Sequence, residues 1–211
     1  MKPLRLMVYD RTCRKNGVGL STLWGYGATL YRGMRRHDAS FGAASWSEAL
    51  AWIAEHDPSR PIGEIQYWGH GKWGKAFIGR ESLGAAELVV DHPLAEAMTR
   101  IRKRLLPAEQ SLVWIRTCET FGADAGIDFA VRLSERLGAR VAGHTFVIGV
   151  LQSGLHALAP GRRPTWSATE GLKEGTAAAP TTAHDSSFGA PRTVHFMTNE
   201  IPRAWFDEDG R

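Results

Sequence analysis

Glu64-Ile65-Gln66-Tyr67-Trp68-Gly69-His70-Gly71-Lys72-Trp73-Gly74-Lys75-Ala76 is the stretch whose reading decides the fold. From Gly69 it spells G-x-x-x-x-G-K-A, one residue away from a loop that cradles nucleotide phosphates. It also spells a short apolar strand that ends by presenting a histidine between two glycines. A phosphate loop needs a hydroxyl after its lysine to hold magnesium, and a helix opening there so that backbone N–H groups face the phosphates. Position 76 is alanine, and Phe77-Ile78-Gly79-Arg80 has the composition of a turn or short strand. Nucleotide hydrolysis is therefore set aside, and Ile65 to Trp68 is read as a strand that delivers His70 to its carboxyl end.

Upstream, Leu4 to Tyr9 reads as a first strand, followed by a polar turn from Asp10 to Gly19 and a glycine-weakened helix from Ser21 to Arg35. Ser45-Trp46-Ser47-Glu48 has the form of a capping box, and Trp46, Ala49, Leu50 and Ile53 follow at helical spacing. Downstream, Lys75 to Val90 is hairpin-like. Pro93 opens a helix whose buried stripe is Leu94, Met98, Ile101 and Leu105. Ser111 to Ile115 is a strand without alternation, as expected when both faces are covered. Asp124 is a candidate cap for a helix that Gly138 stops, and Arg140 to His144 is another strand. Strands alternating with helices predict an α/β fold with a mainly parallel central sheet that includes Leu4 to Tyr9, Ile65 to Trp68 and Leu112 to Arg116.

At 211 residues the chain suits a single domain, residues 1–211, with one irregular segment. That segment is Gly171 to Pro191, rich in Ala, Thr, Ser, Gly and Pro without an apolar period, and is read as a mobile loop. Thr193 to Phe206 regains apolar character and is a candidate final strand. The net charge of +4 selects no partner class, and the basic run Arg100 to Arg104 reads as a solvated helix face. Trp24, Tyr26, Tyr31, Trp68 and Trp73 read as core or cleft wall rather than as a stacking platform, so no nucleic acid partner is expected. No signal peptide and no membrane span is expected, which points to a cytoplasmic protein whose two cysteines are thiols.

In an open α/β sheet, reactive groups gather at the carboxyl ends of the strands. His70 falls there, and so does Cys118 in Trp114-Ile115-Arg116-Thr117-Cys118-Glu119. If the two strands are neighbours, the imidazole and the thiol face one another across one rim. A thiolate is the competent nucleophile, and an adjacent imidazole and backbone amides activate it. The N–H groups of Gly71 and Cys118 are candidate oxyanion donors.

Strand-His-Gly, followed some tens of residues later by an apolar strand ending in x-Cys, resembles the caspase-like fold of clan CD cysteine peptidases. It is closest to the bacterial caspase-like domains, and the similarity covers roughly Leu4 to Ser167. Gly69 stands where that family has serine, and Thr117 where it has a small residue. The resemblance implies a caspase-like three-layer sandwich and a thiol protease without a cofactor, in which a His70/Cys118 dyad transfers acyl groups of a protein or peptide substrate. It equally implies an alternative, a non-catalytic caspase-like interaction module. The position two before the nucleophile lines the specificity pocket in such families. Arg116 there, with Arg11 and Glu119 nearby, implies cutting after acidic residues, with Asp185 as a self-processing candidate. The other reading has Arg116 paired with Glu119 or Asp10, holding the rim together.

Cys13 follows the first strand, which leaves a Cys13–Cys118 disulfide or redox pair open. No paired Cys/His spacing of a structural zinc site is present, so no metal is expected. His144 and His156 read as ordinary histidines beside the rim. Ser153 lacks the Gly-x-Ser-x-Gly elbow of a serine hydrolase.

Overall fold

A computed structural model describes residues 1–13, 19–198 and 200–207. Along the chain, β1 (Leu4–Asp10), α1 (Leu20–Gly33), β2 (Ala39–Ala43), α2 (Trp46–Glu55) and β3 (Ile62–Trp68) come first. A small antiparallel sheet of β4 (His70–Lys72), β5 (Lys75–Ile78) and β6 (Glu81–Leu83) follows. Then come a short 3-10 turn at Ala85–Leu88, α3 (Ala95–Arg104), β7 (Leu112–Arg116), α4 (Ala123–Leu137) and β8 (Arg140–His144). The last part holds β9 (Leu151–Gln152), β10 (Leu155–Leu158), β11 (Leu172–Gly175), β12 (Pro180–Ala183), β13 (Val194–His195) and α5 (Ala204–Asp207).

The central sheet runs β10-β8-β7-β3-β1-β2, and every pair is parallel except β10 with β8. All three strands expected at its centre lie in it. On one face, Leu6, Val8, Ile65, Tyr67, Val113 and Ile115 join the apolar stripes of α2, α3 and α4. On the other, Met7 and Trp68 meet Ala28 and Tyr31 of α1, and Trp114 packs with Leu155, Val194 and Ile201. Helices on both faces of a mostly parallel sheet make a three-layer α/β sandwich. Among the described residues no helix is long and apolar enough to cross a membrane.

Local chemistry explains most of the boundaries. Ser45 caps α2 by accepting the Glu48 N–H at 3.0 Å, a contact typically worth about 1 kcal/mol. The Glu48 carboxylate reaches back to the Ala44 N–H at 2.6 Å, one residue before the partner a standard box would use. Asp124 does not cap α4. Gly122 holds the cap position and Asp124 sits within the first turn, where its charge suits the helix dipole. The helix stops at Gly138 as expected.

Three segments differ from expectation. β2 is an edge strand of weak composition, Ala-Ser-Phe-Gly-Ala, with no signal strong enough to mark it. The segment from Gly171 to Pro191 contains the antiparallel hairpin β11–β12, largely exposed, where composition suggested no regular element. Thr182 donates to Glu174 at 3.0 Å within the hairpin, and Ser186 ties the segment back to the Val147 carbonyl at 2.8 Å, so polar bonds hold it without an apolar period. Finally, Val194–His195 does form a strand, but it pairs with β9 in a separate two-stranded sheet rather than extending the central one.

Candidate active site

β3 and β7 are adjacent and parallel, and their last paired residues are Trp68 and Arg116. His70 and Cys118 therefore each stand two residues beyond the same rung of the sheet. Both side chains line one groove of about 690 Å³, walled on one side by α1 and on the other by Ile148, Gly149 and Val150.

The loops that carry the pair are locked together. Trp73 and Gly74 turn the β4–β5 hairpin with φ of 41° and 80°, the signature of a primed two-residue turn. The Gly74 N–H donates to the Thr120 carbonyl at 3.0 Å, which ties the histidine hairpin to the cysteine turn. Gly71 packs directly on that turn. A Cβ there would come within 2.1 Å of the Thr120 hydroxyl and 2.4 Å of the Thr117 hydroxyl, so only glycine fits without displacement. The two threonines are fully buried and hydrogen-bond to each other. In the hairpin register, Lys72 pairs with Lys75 across the turn, so Gly71 falls at the non-hydrogen-bonded rung and its N–H faces away from β5.

Cys118 is half-buried. Its sulfur accepts the Ile148 N–H at 3.4 Å. Burial pushes the thiol up from its ordinary pKa; the Ile148 amide works against that shift, and the Glu119 and Asp185 carboxylates add to it. Glu119 itself is buried, adopts a left-handed φ of 31°, and leaves Oε2 without a hydrogen-bond partner. Burial raises its carboxyl to about 7, with Lys72 opposing and Asp185 reinforcing the shift. A non-glycine residue in that region costs on the order of 1 kcal/mol, and here it directly follows the candidate nucleophile.

His70 is exposed, and its ring stands nearly perpendicular to that of Trp24 with their centres 5.4 Å apart. Its Nε2 lies 3.2 Å from the sulfur of Cys13, the thiol at the end of β1. Both cysteines are free. In this state the imidazole contacts Cys13, and among the described residues no hydrogen bond joins it to Cys118.

The residues read as substrate-binding go elsewhere in part. Arg116 lines the floor of the groove but is buried, with its guanidinium 4.3 Å from the Trp114 ring centre and 4.9 Å from that of Trp68. It donates to Gln152 from Nε and Nη2, to the Phe196 carbonyl at 2.8 Å, and to the Tyr31 hydroxyl at 3.1 Å. It pairs with neither Glu119 nor Asp10. Arg11 is exposed and bridges to Glu48 at 3.1 Å. Asp10 instead caps the end of β1, accepting the Thr12 N–H at 2.7 Å and the Gly79 N–H at 3.3 Å.

The remaining candidates are structural. His144 is enclosed, accepting the Trp114 indole N–H at Nε2 and donating from Nδ1 to the Ser153 carbonyl, and burial lowers it to about 3. His156 bridges to Glu170 at 2.6 Å and stacks on Trp166. The Ser153 hydroxyl is bonded to Thr193 in the interior. Among the described residues no cluster of three metal-ligating side chains occurs. Trp24, Tyr26 and Trp68, read from the sequence as core or cleft wall, do line the groove. Sequence reasoning missed their neighbours Leu20, Leu23 and Leu30 on α1, apolar positions that the fold leaves exposed.

The fold and site define an α/β sandwich protein with a histidine and a cysteine at the carboxyl end of a mostly parallel sheet. The chain matches no protein-family model and no curated protein.

Proposed function

We propose that the protein is a cysteine-dependent acyl-transfer enzyme of caspase-like type that cleaves peptide bonds with His70 and Cys118. The observation that carries this reading is the shared rung: neighbouring parallel strands deliver both side chains, two residues past Trp68 and Arg116, into one groove. That is the arrangement the resemblance to caspase-like peptidases implies, and the strand order is compatible with it.

In the proposed reaction His70 takes the proton of the Cys118 thiol, and the thiolate sulfur adds to the scissile carbonyl carbon. The Gly71 and Cys118 N–H groups hold the resulting oxyanion. Collapse breaks the C–N bond, and the departing amine takes the proton back from His70. Water, deprotonated by the same imidazole, then hydrolyses the thioester and restores the thiol. Before the first step His70 must leave Cys13 and turn to Cys118, as catalytic contacts often form only once substrate is bound. The raised pKa of Cys118 fits a resting enzyme, in which little thiolate exists until the imidazole turns toward it.

The second reading is a non-catalytic interaction module, favoured by the His70–Cys13 contact and by the exposed apolar side chains of α1. Incubation with an unfolded protein substrate separates them. Peptidase activity predicts fragments with wild type and with Cys13→Ser, and none with Cys118→Ala or His70→Ala. Fragments that persist in Cys118→Ala contradict the dyad.

A further inference from the structure

We infer that the groove selects a long apolar side chain, of the leucine, methionine or phenylalanine class, next to the bond that is cut. This inference rests on the His70/Cys118 reading and names its substrate class. It departs from the acidic preference that Arg116 implies when read as a sequence position alone.

Arg116 is the one charged side chain in the described lining of the groove. A guanidinium has five N–H donors, and a substrate carboxylate needs two of them in a parallel fork. Here Nε and Nη2 are committed to Gln152 and the Phe196 carbonyl. Nη1 has Tyr31 at 3.1 Å, with Gln66 and the Thr198 carbonyl both at 3.4 Å. Acceptors of the protein thus already use the whole fork. An entering carboxylate would have to expel Gln152 or the 196–198 segment and leave them unpaired in the interior. The second arginine, Arg11, is held by Glu48.

Apart from His70 and the Tyr26 hydroxyl, the lining that meets solvent is largely apolar. Leu23 is 62% exposed, Val150 61% and Leu30 47%, although each faces a groove rather than a convex surface. With Leu20, Trp24 and Ile148 they form two walls on either side of the thiol. A volume of about 690 Å³ is in the range of small-ligand pockets and accommodates a large side chain with part of its backbone. Desolvating an aliphatic or aromatic side chain against these walls is favourable, whereas an unpaired carboxylate or ammonium there is heavily penalised. The groove has no free charge to select for either.

The test is a series of peptidyl acyloxymethyl ketones that differ only in the side chain next to the reactive carbon: Leu, Phe, Asp, Glu or Lys. Inactivation rates are measured on the full chain. The Leu or Phe probe is expected to react at least about tenfold faster than the Asp, Glu and Lys probes. Leu23→Asp with Val150→Asp is expected to reduce the Leu rate by a similar factor while circular dichroism stays that of the wild type. Faster reaction of the Asp or Glu probe, or of the Lys probe, overturns the apolar assignment and leaves the dyad standing. A Leu rate unchanged in the double variant also overturns it. Failure of every probe to modify Cys118 sinks the dyad reading, and this inference falls with it.

Discussion

The two faces of the central sheet enclose two different spaces. Under α2, α3 and α4 lies a void of about 40 Å³ whose lining, including Val8, Ile65, Val113 and Ile115, is buried and wholly apolar. Under α1 lies the groove of about 690 Å³, with histidine, cysteine and arginine in its surface. The same strands build both, because successive residues point to opposite faces: Ile65, Tyr67, Val113 and Ile115 on one side, Gln66, Trp68, Trp114 and Arg116 on the other. One face is packed for stability. The other spends polar side chains on fixing the floor of a site.

Mutation should expose that difference, first on the polar face. Arg116→Met is expected to destabilise the protein by about 3–5 kcal/mol, because Gln152, Tyr31 and the Phe196 carbonyl lose their donor inside the protein. Urea denaturation measures it, and a loss below 1 kcal/mol would mean that the network is dispensable.

A pH dependence comes next. Glu119 goes from an ordinary 4.5 to about 7 on folding, so the folded state holds its proton more tightly than the unfolded state does. This group's contribution to stability is therefore greatest below pH 4.5, falls as pH rises toward 7, and is level above it, a change of up to about 3 kcal/mol. Glu119→Gln removes that slope. In chemical denaturation at pH 5 and pH 8, the variant should gain most over wild type at the higher pH.

The smallest effect belongs to the apolar face. Ile115→Val enlarges a void that is already present and should cost about 1 kcal/mol, with no change in reactivity toward thiol-directed probes. A loss of labelling in this variant would show that the two faces are coupled.

Much of this arrangement was legible in the sequence. The non-alternating run Ser111 to Ile115, the capping box at Ser45 and the histidine after Ile65 to Trp68 mark the parallel core and the rim that carries the candidate site, because period and strand ends are local properties. The neighbouring placement of β3 and β7 made His70 and Cys118 share a groove, as expected for an open sheet. The fate of Arg116 was not legible. Its partners Tyr31, Gln152 and Phe196 lie 36 to 85 positions away in the chain, and nothing in Trp114 to Glu119 announces them. The contact of His70 with Cys13 belongs to the same class. Both thiols follow strands of one sheet, but which one the imidazole touches depends on loop packing. The hairpin at β11–β12 was hidden because composition reports apolar periodicity and this hairpin has little.

Cys118, not Cys13, is the thiol expected to react. The full chain is treated with a peptidyl acyloxymethyl ketone carrying leucine next to the reactive carbon, and the modified residue is located by peptide mass mapping. The account predicts one equivalent of label on Cys118, lost in Cys118→Ala and His70→Ala and retained in Cys13→Ser. Label on Cys13, or label on Cys118 that is undiminished in His70→Ala, would contradict it.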